Sequence, residues 1–202
     1  MKYRHPWLSL LFMSGSIFIG ALPTVLQAAE TPTASMLSNT CAGCHGTNGS
    51  SVGPASPTIA GISNDYFIET MQAYKKGTRP ATIMTRIAKG YTDKEIELMA
   101  GFFSKQKFVR YDQKFDPTKA KAGKKLHKKY CDKCHEDSGR SAEDDAGILA
   151  GQWAPYLRYS MNDFISGNRE MEKKMKKKMD AAMKKEGDQC VEQLIHFYSS
   201  QK

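Results

Sequence analysis

Apolar side chains recur every three or four residues in several stretches of the chain, and no stretch alternates convincingly with a period of two. Residues 65–76 and 155–166 show the spacing of amphipathic helices. Thr92 and Asp188 stand where helix-capping residues are expected, each ahead of a further apolar helix. Short helices are also predicted over residues 33–40 and 120–130. The pattern therefore predicts an all-α fold.

The first 29 residues carry a separate apolar pattern. Lys2 and Arg4 precede an apolar run over residues 7–21, and the small residues Ala28 and Ala29 follow. This order is typical of a secretory signal peptide, cleaved after Ala28 or Ala29. The run is shorter than the ~20 residues of a membrane span, and no later segment is apolar enough to be one. We therefore predict a protein exported to the periplasm with no stable membrane span.

The helical pattern repeats after 90 residues. Cys41, Tyr66 and Arg79 correspond to residues of the same type at Cys131, Tyr156 and Arg169, and the aromatic pairs near the two ends correspond at an offset of 95. Such ordered similarity indicates an internal duplication. It predicts two tandem domains, residues 30–108 and residues 109–202, joined by a linker over residues 107–118.

Each predicted domain carries one CxxCH motif, and the two motifs together hold four of the five cysteines. Their cysteines and histidines are Cys41, Cys44 and His45 in the first motif and Cys131, Cys134 and His135 in the second. The two thiols of such a motif form thioethers with a haem edge, and the adjoining histidine binds the iron. A zinc site would need two more ligands per motif. The chain is therefore predicted to bind two covalent haem c groups. Cys190, the remaining cysteine, is predicted to be a buried thiol, and no catalytic residue is predicted.

Methionines are the candidates for the sixth iron ligand, because a thioether opposite histidine suits an electron carrier. Met84 is predicted to bind the first iron from a loop between the middle and last helices. For the second iron, Met175 is favoured by the repeat at an offset of 91, with Met171 as the alternative. The other helical methionines are predicted to lie on apolar helix faces: Met36, Met71, Met99, Met179 and Met183. Two further histidines, His127 and His196, are interpreted as structural.

The positive charge of the chain bears on which partners it can bind. The formal net charge is +9, and lysines cluster at residues 124–129 and 173–178. An exported protein meets no nucleic acid, so we expect no nucleic-acid partner. The lysines are interpreted either as a solvated surface or as a surface that steers an acidic redox partner.

The motifs resemble those of the dihaem cytochrome c subunit of flavocytochrome c sulfide dehydrogenase, a family of tandem class I cytochromes c. The matching strings are Cys41–Gly46, Ser51–Pro57, Ile83–Tyr91, Ile148–Trp153, Met171–Met175 and Phe197–Gln201. The resemblance implies His/Met ligation of both irons, with His45, Met84 and His135 carried over and both Met171 and Met175 matching.

The same resemblance implies a periplasmic complex with a flavoprotein subunit. FAD then lies on that partner and not on this chain, the partner oxidises sulfide, and electrons leave toward a soluble c-type cytochrome. Under this interpretation the chain is an electron-transfer subunit and not the catalytic one. The alternative is a free-standing periplasmic dihaem electron shuttle.

Overall fold

Every regular element in residues 32–143 and 146–202, the part of the chain that the computed structural model describes, is helical. The predicted all-α fold is confirmed. The predicted signal peptide lies outside the described residues. Within the described part, no helix is long and apolar enough to cross a membrane.

From residue 32 onward, the first half of the chain builds five α-helices and two short 3-10 turns. The α-helices are α1 (Ala34–Asn39), α2 (Ala42–His45), α3 (Asn64–Lys76), α4 (Met84–Ile87) and α5 (Asp93–Phe103). Side-chain caps fix three of their starts: the Thr33, Ser63 and Thr92 hydroxyls each accept a backbone N–H of the first turn. Thr92 and Glu95 form a reciprocal capping box, as predicted.

The second half repeats this plan with a longer first helix and a longer helix before the last one. Its elements are α6 (Pro117–Leu126), a π turn (His127–Cys131), α7 (Glu136–Gly139), α8 (Ala154–Ile165), α9 (Lys173–Glu186) and α10 (Gln189–Ser199). Helix α6 begins three residues before the predicted start, because the Asp116 carboxylate caps it and Pro117 occupies its first turn. The Asp116-Pro117 pair therefore starts a helix and is not part of the linker.

Equivalent hydrogen bonds recur in the two halves. The Gly61 N–H donates to the Phe103 carbonyl at 2.8 Å, and the Gly151 N–H donates to the Tyr198 carbonyl at 2.8 Å. These pairs are related by the offsets of 90 and 95 read from the sequence. The duplication is therefore present in the backbone, where it ties the loop after each attachment motif to the last helix of its own half.

Each half has its own apolar cluster. The first is built around Ile96, Met99 and Phe103 of α5 with Phe67 of α3, and the second around Leu194, Ile195 and Phe197 of α10. Helix α6 crosses α10 in the most extensive helix–helix contact of the described residues. These clusters form the walls against which the attachment motifs are held.

The two halves are joined by buried polar contacts. The Gln152 side chain donates to the Thr58 carbonyl at 2.9 Å and accepts the Thr58 N–H at 3.0 Å. The Trp153 indole N–H donates to the Ser51 carbonyl at 3.0 Å. Residues 32–202 consequently form one compact unit, and the division at residue 108 stays a prediction.

Candidate cofactor sites

The first attachment motif lies on a single helical turn. Cys41 is the N-cap of α2, and Cys44 and His45 lie on it. The His45 N–H donates to the Cys41 carbonyl at 2.9 Å, which closes the turn. Both cysteines are free thiols, and burial raises the pKa of the Cys41 thiol, with opposition from the hydroxyl of Thr40. The turn places two thiols and an imidazole on one short segment.

A hydrogen bond fixes the orientation of the His45 ring. Its Nδ1 lies 2.8 Å from the Pro57 carbonyl oxygen. A carbonyl only accepts, so Nδ1 carries the proton and Nε2 keeps its lone pair. Burial lowers the pKa of His45, with the bond to Pro57 acting in the opposite direction. The imidazole is therefore neutral at pH 7 and able to bind a metal through Nε2.

The second motif repeats this turn with one difference. The His135 N–H donates to the Cys131 carbonyl at 3.0 Å, and burial followed by the nearby His127 lowers the pKa of His135 to about 4. Burial also raises the pKa of Cys131 to about 11. Among the described residues, however, the buried Nδ1 of His135 has no hydrogen-bond partner. This histidine is also neutral at pH 7, but its ring is less firmly fixed than that of His45.

The donor sets of both motifs fit covalent haem. Each offers two unpaired thiols and a neutral imidazole within one turn, which is the set that a haem edge and its iron require.

A buried arginine between the halves also fits this cofactor. Arg79 is only 6% exposed, and it donates to the hydroxyls of Thr70 at 2.9 Å and Tyr156 at 3.0 Å. No carboxylate among the described residues forms an ion pair with it. Burial of an unpaired guanidinium is costly, so the position suits an anionic group such as a haem propionate.

The repeat supplies a second arginine at the same place. Arg169 donates to the Ser160 hydroxyl at 3.0 Å and lies over the ring of Phe164, just as Arg79 bonds Thr70 and lies over Tyr74. Tyr66 interacts with both guanidinium groups. The sequence analysis matched Arg79 with Arg169 as repeat positions but assigned them no role. The contacts that cross between the halves join residues far apart along the chain, Arg79 with Tyr156 and Arg169 with Tyr66. Only the fold therefore shows that the two arginines meet there.

Met84 is the first residue of α4 and is half-buried against the first apolar cluster. The expectation of a loop was wrong here, because one helical turn is too short to show periodicity in the sequence. Met171 precedes the Glu172 N-cap of α9, Met175 lies in its first turn, and both are half-buried. The choice between these two methionines stays a prediction.

The remaining methionines and Cys190 differ in how deeply they are buried. Met71, Met99 and Met179 are buried as expected, but Met36 is 64% exposed, so its assignment to the core was wrong. It occupies the outer side of α1, a helix too short for its apolar face to be recognised. Cys190 is fully buried.

The two histidines outside the motifs have protein partners for their rings. His127 lies between Tyr198 and Asp132, with both ring nitrogens 3.0 Å from a partner oxygen. The Nδ1 of His196 accepts the Asp116 N–H at 3.1 Å. These contacts agree with the structural role expected for both.

The chain is similar to known c-type cytochromes. A family model described as "Cytochrome c" matches residues 33–107. The cytochrome subunit of sulfide dehydrogenase from Chlorobaculum tepidum is 42% identical over 97 residues, which are 46% of this chain and 87% of that protein. Cytochrome c4 of Stutzerimonas stutzeri is 34% identical over 149 residues, covering 64% of this chain and 69% of that one.

The fold is shared with a solved structure over almost the whole described length. Reduced recombinant cytochrome c4 from Pseudomonas stutzeri superimposes with a TM-score of 0.70 at 26% identity, covering 85% of this chain and all of that chain.

Proposed function

The chain belongs to the cytochrome c family, as a dihaem class I member, and from that premise we propose that it is the electron-transfer subunit of a periplasmic sulfide dehydrogenase. Its partner would be an FAD-containing flavoprotein, and its acceptor a soluble c-type cytochrome. The observation that carries this proposal is the 42% identity to a cytochrome subunit of sulfide dehydrogenase.

We assign the cofactor contacts residue by residue. Cys41 and Cys44 would attach one haem c, and Cys131 and Cys134 a second. His45 and His135 would bind the irons through Nε2, opposite Met84 and either Met175 or Met171. Each bound haem would supply one iron that carries a single electron. The chain's own part is to keep both imidazoles neutral by burial and to offer Arg79 to a carboxylate.

An apolar surface supports a partner at the first half. Ile83 and Ile87, on either side of Met84, are 45% and 38% exposed. Their counterparts at the offset of 91, Lys174 and Lys178, flank Met175 and are also exposed. Permanent interfaces are more apolar than transient ones. The first half is therefore the side on which we place the flavoprotein.

The chemistry on sulfide is assigned to that partner. Cys190 is the thiol that the two motifs leave over, and it is fully buried on α10. Burial raises its pKa further, which disfavours the nucleophilic thiolate. This supports a role in which the chain accepts electrons and does not act on sulfide itself.

A free-standing electron shuttle is the second candidate function. The observation in its favour is the likeness to cytochrome c4, which extends over 85% of this chain and all of the solved one.

Purification from the native cell separates the two candidates. We expect a flavin-containing polypeptide to co-purify with the chain, and the pair to reduce added cytochrome c with sulfide. The chain alone, expressed with both haems, should accept electrons from dithionite but show no sulfide oxidation above the uncatalysed rate. A chain that purifies without any flavoprotein would favour the shuttle.

A further inference from the structure

Helix α9 carries an uninterrupted lysine surface, which we call the lysine face: Lys173, Lys174, Lys177, Lys178, Lys184 and Lys185. All six side chains are exposed. At 100° per residue around the helix axis, the six lysines occupy an arc of about 140°, and Ala181 is the seventh residue within this arc. With a rise of 1.5 Å per residue the face is about 18 Å long. It is large enough to contact a small protein.

The rest of the helix does not neutralise this face. Its acidic residues lie outside the arc and are paired elsewhere: Asp180 with Lys176 at 2.8 Å, and Glu186 with Lys129 at 2.9 Å. Among the described residues, none of the six lysines forms a salt bridge within 4.0 Å. The face therefore presents up to six positive charges to the solvent.

The arrangement also works against the helix itself. Lys173 and Lys174 lie in the first turn, where the helix dipole disfavours cations, and neighbouring lysines repel each other at spacings of three and four residues. The N-terminal Glu172 cap and the buried Met179 and Ala182 hold the helix in place. The lysines therefore do not stabilise the helix, and this favours a role for them in binding.

The face is particular to the second half and lies beside its cofactor site. The counterpart of α9 in the first half is the single turn α4, with one basic residue, Arg86. Of the two candidate ligands of the second iron, Met175 lies in the first turn of α9 and Met171 directly precedes its N-cap, Glu172. A protein bound on the lysine face would therefore lie close to the second site.

We propose that the lysine face of α9 is the docking surface for an acidic redox protein that takes one electron at a time from the second site. This inference rests on the proposed role as an electron carrier. In each transfer the chain loses one electron and the docked protein gains it, with no proton or group transferred. Complementary charge would raise the encounter rate, and added salt would reduce this gain by screening the attraction.

An acidic protein fits this face better than an anionic membrane. Amphipathic helices that bind membranes insert an apolar face between lipids. In α9 the apolar side, with Met179 and Ala182, is already buried against the protein, and the exposed arc holds lysines and one alanine. The lysine face can therefore bind negative charge, but it has no exposed apolar side chain large enough to insert between lipids.

The test uses the full haem-loaded protein, reduced with ascorbate and mixed rapidly with oxidised plastocyanin, an acidic blue-copper protein. Lys173, Lys174, Lys177 and Lys178 are changed together to Gln. The control changes four exposed lysines of α6 to Gln: Lys119, Lys121, Lys124 and Lys125. Both variants lose four charges, so they differ only in where the charge is lost. A third variant replaces the four α9 lysines by Arg.

We expect the α9 Gln variant to slow the second-order rate at least about tenfold at ~0.01 M ionic strength, and the difference to vanish near ~0.5 M. The α6 variant should change the rate less than about twofold, and the Arg variant should keep it. Equal slowing by both Gln variants would show an effect of net charge alone and overturn the proposal.

Sedimentation with phosphatidylserine-containing vesicles tests the membrane alternative. Vesicle binding that depends on the α9 lysines, without an effect of those lysines on the rate of plastocyanin reduction, would assign the face to a membrane and overturn the proposal. Since ascorbate supplies the electrons, the outcome does not depend on whether the flavoprotein partner of the proposed function exists.

Discussion

A buried histidine distinguishes the second half at the residue scale. His127 is 3% exposed, and its Nδ1 and Nε2 lie 3.0 Å from the Tyr198 hydroxyl and the Asp132 carboxylate. The corresponding residue of the first half, at the offset of 90, is the buried Leu37. Burial lowers the pKa of His127, while the bond to Asp132 opposes this. The second half has therefore gained a titratable group behind its attachment motif.

Stability should consequently depend on pH below the ordinary histidine pKa of ~6.5. There the unfolded chain binds a proton at His127 that the native state resists, so stability falls as the pH drops from ~6.5 toward the lowered native pKa, by at most about 1.4 kcal/mol per pH unit. Urea unfolding of the haem-loaded protein between pH 5 and 7 measures this.

The His127→Leu variant should show a flatter pH dependence, because it carries the residue of the first half. Leu37→Ala, at the corresponding buried position of the first half, is the control, since it lowers stability without removing a titratable group. If the wild-type and His127→Leu slopes coincide, the buried histidine does not set the pH dependence.

Single substitutions to Ala distinguish among the candidate iron-binding methionines. Met84→Ala should remove about half of the long-wavelength absorption of ferric iron bound to Met sulfur and lower one reduction potential. Met175→Ala should remove the other half, and Met171→Ala should leave it unchanged. Met179→Ala is the matched control: it should cost about 2–5 kcal/mol of stability and keep the absorption. Loss of the absorption in Met171→Ala alone would reverse the choice.

At the scale of secondary-structure elements, two helical glycines show where helices pack closely. At the crossing of α6 with α10, a Cβ on Gly123 would lie 2.0 Å from the Gln193 carbonyl oxygen. Gly101 on α5 has no neighbour within 4 Å of such a Cβ. The two glycines are both helical but differ in the space around them.

Gly123→Ala should therefore destabilise the protein by at least about 3 kcal/mol, because the clash is with backbone. Gly101→Ala should stabilise it by about 0.5–1 kcal/mol, because alanine restricts the unfolded chain. Thermal unfolding of the two haem-loaded variants measures both effects. Similar shifts in the two variants would contradict the role of the α6–α10 crossing.

Helices with local caps or long apolar faces were predictable from sequence. The prediction for α3 from residue 65 and the Thr92 capping box needed only neighbouring residues. Helix α4 was not predictable because four residues carry no period. The attachment motifs were predictable because all their members are contiguous. The Pro57 carbonyl on His45 and the Tyr156 hydroxyl on Arg79 were not, since these contacts join residues 12 and 77 positions apart.

At the scale of the whole molecule, Gln152 joins the halves through two buried hydrogen bonds to the Thr58 backbone. The Gln113 side chain makes two similar bonds, to the Gln152 carbonyl and the Ala154 N–H, within the second half. Tyr66 reinforces the contact between the halves by packing on the backbone of Gly147, where a Cβ would lie 2.9 Å from its hydroxyl.

Replacement of Gln152 by Ala should cost about 2–4 kcal/mol, because it leaves a buried N–H and C=O unsatisfied. It should also split unfolding into two transitions, one for each half, in calorimetry of the haem-loaded protein. Gln113→Ala should lower stability without this splitting. A single transition in both variants would show that other contacts suffice to couple the halves.

The polar contacts between the halves also have a consequence for how the duplication works. The linker is held on both sides, since the Ser50 hydroxyl donates to the Lys107 carbonyl and the Arg110 Nε–H donates to the Ala150 carbonyl. A short tether gives its two ends an effective concentration in the millimolar range or above. Contacts between the two halves that would be too weak to hold two separate chains together can therefore persist within this one chain. We therefore expect a protease cut between Lys107 and Arg110 to let the two halves separate, each with its own proposed haem c site.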